Sequence, residues 1–453
     1  MKTFVSILVL LCFNPLFAQD GVSSGSISMM KSHGMNVRNE AGNFNQRMVI
    51  VEDFMNYHKH HIKIPKADEP EISIDYSNNL MQGPESFLLQ IGVATPLKRN
   101  IEKEEANLNV CLVLDNSGSM SGQKINHLKL AIKTFVAKLP DRANLSVVLF
   151  NSSAHAIMGK TPIGGNRKNI AQRVENIFAS GGTNIHAGLK MGFEELLKTH
   201  KKGMNSRVIL LTDGMTNTGV TDPEQFLPEF KSYTEKGISI STVGLGASLD
   251  FDLLRNLAEA GNGSNYFIGN PEGDIQKVFI DEINSLLFPV GKVPKVRLEL
   301  PKGWTVEKCF GYQPEFINQN TIEIPLENLT CNSTQIVMLN IKRNNFKNKK
   351  IKASLSFERN GKKSRVEARQ FYRNRTSQTN PELPKNYSIA QMANALKDFA
   401  EAYKNGTPLD FKPLKNSLAT TDWLIREKDK DVERVYSILE KMLPKQPANL
   451  ARP

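Results

Sequence analysis

Leu108-Asn109-Val110-Cys111-Leu112-Val113-Leu114 is a largely apolar run that breaks without a spacer into Asp115-Asn116-Ser117-Gly118-Ser119-Met120. An apolar run that is continuous rather than alternating marks a strand covered on both faces, and the polar word after it marks the strand's carboxyl end. Four more such runs follow at Leu145 to Phe150, Arg207 to Leu211, Ile238 to Val243 and Ser264 to Ile268. Between them lie helical patterns at Lys124 to Leu139, Lys168 to Ala179, Ile185 to Thr199, Pro223 to Lys236 and Phe251 to Ala260, with a last one at Glu272 to Leu287. Asp222 and Pro223 supply an N-cap and a preset first helical position. Strands alternating with helices predict βαβ units. Residues 106–288 are therefore read as an α/β domain with a doubly wound, mostly parallel sheet of Rossmann-like type.

Upstream, residues 47–105 read as a small N-terminal pre-domain, with a helical piece at Val51 to Tyr57 and strand-like runs at Glu71 to Tyr76 and Ser86 to Gly92. Downstream, short strands separated by turns predict a β-sandwich-like domain over residues 289–384, closed by a helical C-terminal region over 385–453. Residues 19–46 are rich in Gly, Ser, Asn and Met, and carry too little apolar surface to offset chain entropy; they read as a flexible linker. Residues 1–18 carry Lys2, an apolar stretch from Phe4 to Phe13 and the small Ala18, the pattern of a signal peptide. Export to the periplasm or beyond the cell, with cleavage near Ala18, is expected. Cys12 is not expected to carry a lipid, because the large Leu11 precedes it. No later run reaches the ~18 apolar residues that a membrane helix needs, so no transmembrane segment is expected.

Among 453 residues, 58 are Lys or Arg and 46 are Asp or Glu, a net charge of +12. The excess is spread without a block of like charges. That argues against specific nucleic-acid recognition and leaves peripheral association with an anionic envelope surface. A hydrophobic content of 40% excludes a wholly disordered chain. Cys111, inside the apolar run, reads as a small buried filler. Cys309 and Cys331 lie in the strand-rich part of an exported chain and are expected to form a disulfide.

Three short words share a chemistry: Asp115-Asn116-Ser117-Gly118-Ser119, Gly181-Gly182-Thr183-Asn184 and Thr212-Asp213-Gly214. In a doubly wound sheet the strands' carboxyl ends open on one edge, so these loops converge there. Two carboxylates and three hydroxyls then form an oxygen-only donor set for a hard divalent cation, Mg²⁺ first, with Mn²⁺ or Ca²⁺ as alternatives. Gly118, Gly182 and Gly214 permit the tight backbone paths that bring these groups together. Taken singly, each word is an ordinary turn.

Together, Asp-x-Ser-x-Ser, a distant Gly-Gly-Thr and Thr-Asp-Gly resemble the metal-ion-dependent adhesion site of von Willebrand factor type A domains, over about residues 106 to 287. The resemblance implies that Ser117, Ser119 and Thr183 hold a metal through hydroxyls and that Asp115 and Asp213 do so directly or through water. It also implies a protein partner whose Asp or Glu carboxylate completes the shell. Val51-Glu52-Asp53-Phe54-Met55-Asn56-Tyr57 is similar to the Val-Glu-Glu-Met-Ile-Asn-Tyr leader of a secreted bacterial subfamily. Asn116, Thr216 and Asn217 are expected on the partner-binding rim and Met120 in the core. His58, His60 and His61 read as a solvated segment, since a strand would turn His61 away from the other two.

His-Glu-x-x-His and a phosphate loop are missing from the sequence, and no general base is recognisable beside the three loops. Binding rather than catalysis is expected: a metal-dependent adhesion or assembly module that captures an acidic side chain. The alternative is an envelope scaffold whose metal site only stabilises the fold. A third reading is a basic surface that binds an anionic polymer.

Overall fold

The structure is a computed structural model and describes residues 49–442, apart from 66–67, 81–84, 98–107, 202–203, 247–248, 269–277, 280–281, 284–288, 345–348, 360–361, 374–377, 406–409, 411, 414 and 418–427. The expected signal peptide, the expected linker and Cys12 lie outside the described residues.

The chain opens with α1 (Val51–Asn56) and an antiparallel pair, β1 (Glu71–Ser77) and β2 (Ser86–Ala94). The decisive run then forms β3 (Leu108–Asp115), buried at every residue. With β4 (Asn144–Phe150), β5 (Ala154–Pro162), β6 (Asn205–Thr212), β7 (Ile238–Leu245) and β8 (Asn262–Ile268) it makes a six-stranded sheet in the order β5-β4-β3-β6-β7-β8. All neighbours pair in parallel except β5, which folds back antiparallel on β4. That edge strand was not foreseen, because most of its residues face solvent and carry no apolar signal.

The helices of this domain are α2 (Gln123–Lys138), α3 (Arg167–Glu175), α4 (Ile185–Leu197), α5 (Pro223–Glu235) and α6 (Phe251–Ala260). Alternation along β3 shows why the sheet is doubly wound. Val110, Leu112 and Leu114 share a core with Leu128, Ile132 and Phe135 of α2. Cys111 and Val113 point the other way, into a core with Leu189 and Phe193 of α4. The Asp222 side chain accepts from the Glu224 amide at 3.0 Å, capping α5 as expected. Of the helix expected at Glu272 to Leu287, only Val278, Phe279, Glu282 and Ile283 are described, and all are buried.

The remaining strands are β9 (Pro289–Glu299), β10 (Trp304–Cys309), β11 (Glu315–Asn318), β12 (Thr321–Pro325), β13 (Leu329–Thr330), β14 (Thr334–Arg343), β15 (Lys349–Arg359) and β16 (Lys362–Tyr372). They build one sheet in the order β11-β12-β9-β15-β16, with β13 on β9, and half of another in the order β1-β2-β14-β10. The expected pre-domain is thus not a separate unit: β2 pairs with β14 from Ser86↔Lys342 to Ala94↔Thr334 and completes the second sheet. A hydrophobic pattern marks a strand but not its partner, and this partner is about 250 residues away in the chain. Phe87 and Trp304 on one sheet meet Tyr372 on the other, with ring centroids 4.5 and 5.1 Å apart. The helices α7 (Leu383–Lys404) and α8 (Lys430–Met442) follow, and their buried apolar residues join the same core.

Two expectations fail here. Cys309 and Cys331 do not form a disulfide. The register sets Cys309 opposite Leu339, whereas Cys331 precedes the start of β14 at Thr334. The five strand steps between Thr334 and Leu339 span about 16 Å, beyond the ~7 Å between Cα atoms that a disulfide bridges. The histidine segment is not solvated either. His58 and His60 are buried, their rings edge to face at 4.5 Å, and only His61 points out, to Glu382 at 2.6 Å. Alternation separates His61 from the others as expected, but the segment is pressed between β14 and α7, through a His60 amide bond to Thr334 and a His61 amide bond to Glu382.

Candidate metal centre

Asp115 is the last residue of β3, and Asp213 directly follows β6, its neighbour in the sheet. Both carboxylates are therefore delivered to the carboxyl edge by the strands themselves. One Asp115 oxygen accepts from the Ser117 amide at 2.8 Å and the other from the Thr212 hydroxyl at 2.5 Å. Burial pushes the Asp115 carboxyl above its ordinary value, against those hydrogen bonds, and the negative charge of Asp213 adds to the rise.

From Asp115 the chain turns through a 3₁₀ segment, Gly118–Met120, that exposes Ser119 and buries Met120 as expected. Ser117 Oγ lies 3.0 Å from Ser119 Oγ, and Ser119 Oγ donates to Asp213 Oδ1 at 2.6 Å. The second loop is tied to the first by Gly118 N to Gly181 O at 3.0 Å and Ser180 N to Asn116 O at 2.7 Å. It must pass close to the third: a Cβ on Gly182 would meet the Thr218 hydroxyl at 2.6 Å, and Gly181 sits at φ +75°. Thr183 is held by the third loop, its amide donating to Asn217 Oδ1 at 2.8 Å and its carbonyl accepting from the Asn217 amide at 3.0 Å. Its hydroxyl lies 3.6 Å from where a Gly214 Cβ would stand.

The structure thus gathers Asp115, Ser117, Ser119, Thr183 and Asp213 at one sheet edge, as the spacing implied. The expected rim fares differently. Asn116 is buried and donates to the Phe178 carbonyl at 3.0 Å, so it braces the loops and presents nothing outward. Thr216 donates to the Thr183 carbonyl at 3.3 Å, and the exposed Asn217 shapes the Thr183 loop.

Other residues at this edge carried no sequence signal. Phe178 and Met215 are 73% and 57% exposed, one beside Asn116 and the other two residues past Asp213. Lys124, at the start of α2, places its ammonium 2.5 Å from Asp213 Oδ2. Oxygen donors without His or Cys are the chemistry of Mg²⁺, Mn²⁺ and Ca²⁺ rather than of zinc or copper. Two acids and two hydroxyls on one hydrogen-bonded chain, with the Thr183 hydroxyl on the neighbouring loop, fit such an ion.

A family model described as the von Willebrand factor type A domain matches residues 109–279. The chain contains a von Willebrand factor type A domain. Domains of this family commonly bind a divalent metal and mediate protein interactions, adhesion among them. The chain is 28% identical over 229 residues to the uncharacterized protein YfbK of Escherichia coli (strain K12), covering 50% of this chain and 39% of that one. It is 33% identical over 193 residues to the uncharacterized protein sll0103 of Synechocystis sp. (strain ATCC 27184 / PCC 6803 / Kazusa), covering 43% and 45%. The chain thus spans less than half the length of these curated relatives. A solved structure, the von Willebrand factor type A protein from Catenulispora acidiphila, superposes with a TM-score of 0.58 at 18% identity, over 86% of this chain and 93% of that chain. The shared fold therefore extends beyond the von Willebrand factor type A domain into the β-sandwich. Among the described residues no helix is long and apolar enough to cross a membrane.

Proposed function

We propose that the domain edge holds a divalent cation, Mg²⁺ in the first place, between Asp115, Ser117, Ser119, Thr183 and Asp213, and that a partner protein's Asp or Glu carboxylate completes its shell. The observation that carries this is the continuous chain from Asp115 through Ser117 and Ser119 to Asp213, with Thr183 braced beside it by Asn217. The cation supplies a charge that a carboxylate can complete, and the protein's task is to hold oxygens around it and keep one side open. Exposed Phe178 and Met215 flank that side, so the favoured partner segment carries an apolar residue next to its acid. The role proposed is binding rather than catalysis. With the N-terminal residues 1–18 read as a signal peptide, the chain acts as an exported adhesion or assembly module.

The scaffold alternative, in which the metal only stabilises the fold, is less favoured. Ser119 and Lys124 both donate to the Asp213 carboxylate, so these loops have protein donors of their own. The deciding experiment is a Mn²⁺ titration followed by electron paramagnetic resonance, on wild type and Asp213→Ala, with a Glu-containing peptide added at saturation. Site-bound Mn²⁺ whose spectrum changes with the peptide, and is lost in Asp213→Ala, supports the proposal. A wild type that leaves Mn²⁺ free in solution overturns it.

A further inference from the structure

Lys124 stands where no reading of the five oxygen residues predicts a charge. Its ammonium is 2.5 Å from Asp213 Oδ2, while Ser119 donates to the other oxygen of the same carboxylate. The Asp213 side chain is fully buried and that of Lys124 is 38% exposed. A buried carboxylate needs a counter-charge or strong donors, and here a long, partly solvated side chain provides it.

The position is otherwise a poor one for a cation. Lys124 is the second residue of α2, at the positive end of the helix dipole. The first turn of α2 contains no acidic residue, and its N-cap, Gly122, offers no side-chain cap. Gly122 holds φ +79°, a conformation that lets the chain leave the 3₁₀ segment and start α2 directly under the carboxylates. An unfavourable helix end is tolerated at this point because Asp213 compensates it.

We propose that Lys124 is the internal counter-cation of the metal centre, so that metal uptake exchanges one cation for another. The inference rests on the metal reading given above. Asp115 and Asp213 carry two negative charges and Lys124 returns one. A divalent ion arriving at Asp213 meets this ammonium at close range, and the ammonium must withdraw along its flexible stem toward solvent. Exchange has two consequences. The metal-free domain keeps its loops in place without an ion, and metal affinity is held down to a level at which the ion is readily exchanged. With the ion bound and Lys124 nearby, the centre keeps one net positive charge, which favours an incoming carboxylate; without Lys124 it would be neutral.

The test compares wild type, Lys124→Met, which removes the charge and keeps the stem, and Lys124→Arg, which keeps it. Mn²⁺ affinity is read by calorimetry, and melting is followed with and without Mn²⁺. Lys124→Met should bind Mn²⁺ tighter by about tenfold or more while its metal-free form melts lower, and Lys124→Arg should stay near wild type on both counts. A silent wild type beside a responsive Lys124→Met overturns exchange in the native protein, whose own lysine then excludes the ion. A wild type that binds Mn²⁺ and a Lys124→Met that binds it no tighter overturns the exchange and leaves the metal centre standing. Silence in both overturns the metal reading and the exchange together. If Lys124→Met does not fold, Lys124→Gln serves in its place.

Discussion

Two buried carboxylates, one paired with Arg207 near the amino end of β6 and the other at Asp213 just past its carboxyl end, have opposite uses. Toward the amino end, Glu282 accepts from Arg207 at 2.8 Å, from Ser241 at 2.8 Å and from Tyr266 at 3.1 Å, and both Arg207 and Glu282 are sealed from solvent. At the carboxyl end, Asp213 is equally buried but answered by a loop hydroxyl and a partly exposed ammonium. Burial and charge do not separate the two. What separates them is the mobility of the donors: a guanidinium and hydroxyls held within the sheet close one site permanently, whereas loop serines and a lysine stem leave the other able to trade partners. The first is a structural bridge and the second the proposed site.

Breaking the structural bridge should have the largest effect. Arg207→Met leaves Glu282 buried and uncompensated, and should cost about 3–5 kcal/mol of stability in urea unfolding. The Mg²⁺-induced rise in melting temperature should persist in any fraction that folds. If that rise vanishes too, the two clusters are coupled and the contrast fails.

Asp213→Ala should do the reverse. At about 100 times the dissociation constant a bound metal adds about 2.7 kcal/mol, and this increment should disappear in the variant, measured by thermal shift with and without chelator. A variant that keeps the increment places the ion elsewhere.

The His58–His60 pair sharpens the contrast from a third side, because both rings are buried among cationic neighbours rather than opposite a carboxylate bridge. Burial, then the charges of Lys385 and Arg434, bring His58 down to about 3. Unfolded His58 takes up a proton near 6.5 while the folded one resists, so its contribution is complete above about pH 6.5 and falls as pH drops toward 3. At pH 5 the loss from this one group is about 2 kcal/mol. Glu52 works against it: burial and the neighbouring Asp53 push its carboxyl up to about 7. Its contribution is complete below about 4.5 and is lost as pH rises through 7. His58→Phe should flatten the acid limb of the stability curve between pH 7.5 and pH 5 by about 2 kcal/mol; an unchanged limb would show that His58 ionises freely in the folded protein.

The smallest effect on stability belongs to the metal edge itself. Phe178→Ser and Met215→Ser should shift unfolding by less than about 0.5 kcal/mol and leave Mg²⁺ binding intact, because both side chains face solvent. Loss of the metal response in either would make these residues part of the centre.

The α/β domain was largely legible before any coordinates. β3, β4 and β6 carry largely apolar runs, and two of the three oxygen-bearing words follow strand ends that a doubly wound sheet gathers, while the third leads into α4. Edge strand β5 was not legible, because its residues are half in water. Nor was the union of β1 and β2 with β10 and β14, because strand pairing over such a separation leaves no mark in hydrophobic alternation. His58 and His60 misled for a related reason: polar residues in a short segment resemble a loop until β14 and α7 are packed over them.

Local sequence was therefore enough for elements, caps and the oxygen-bearing words that the fold gathers, since these follow from periodicity and from the chemistry of a few neighbouring residues. Pairing across hundreds of residues, the separation of Cys309 from Cys331 and the arrival of the Lys124 ammonium on Asp213 depend on register and on distances between elements. Those exist only once the chain has closed on itself.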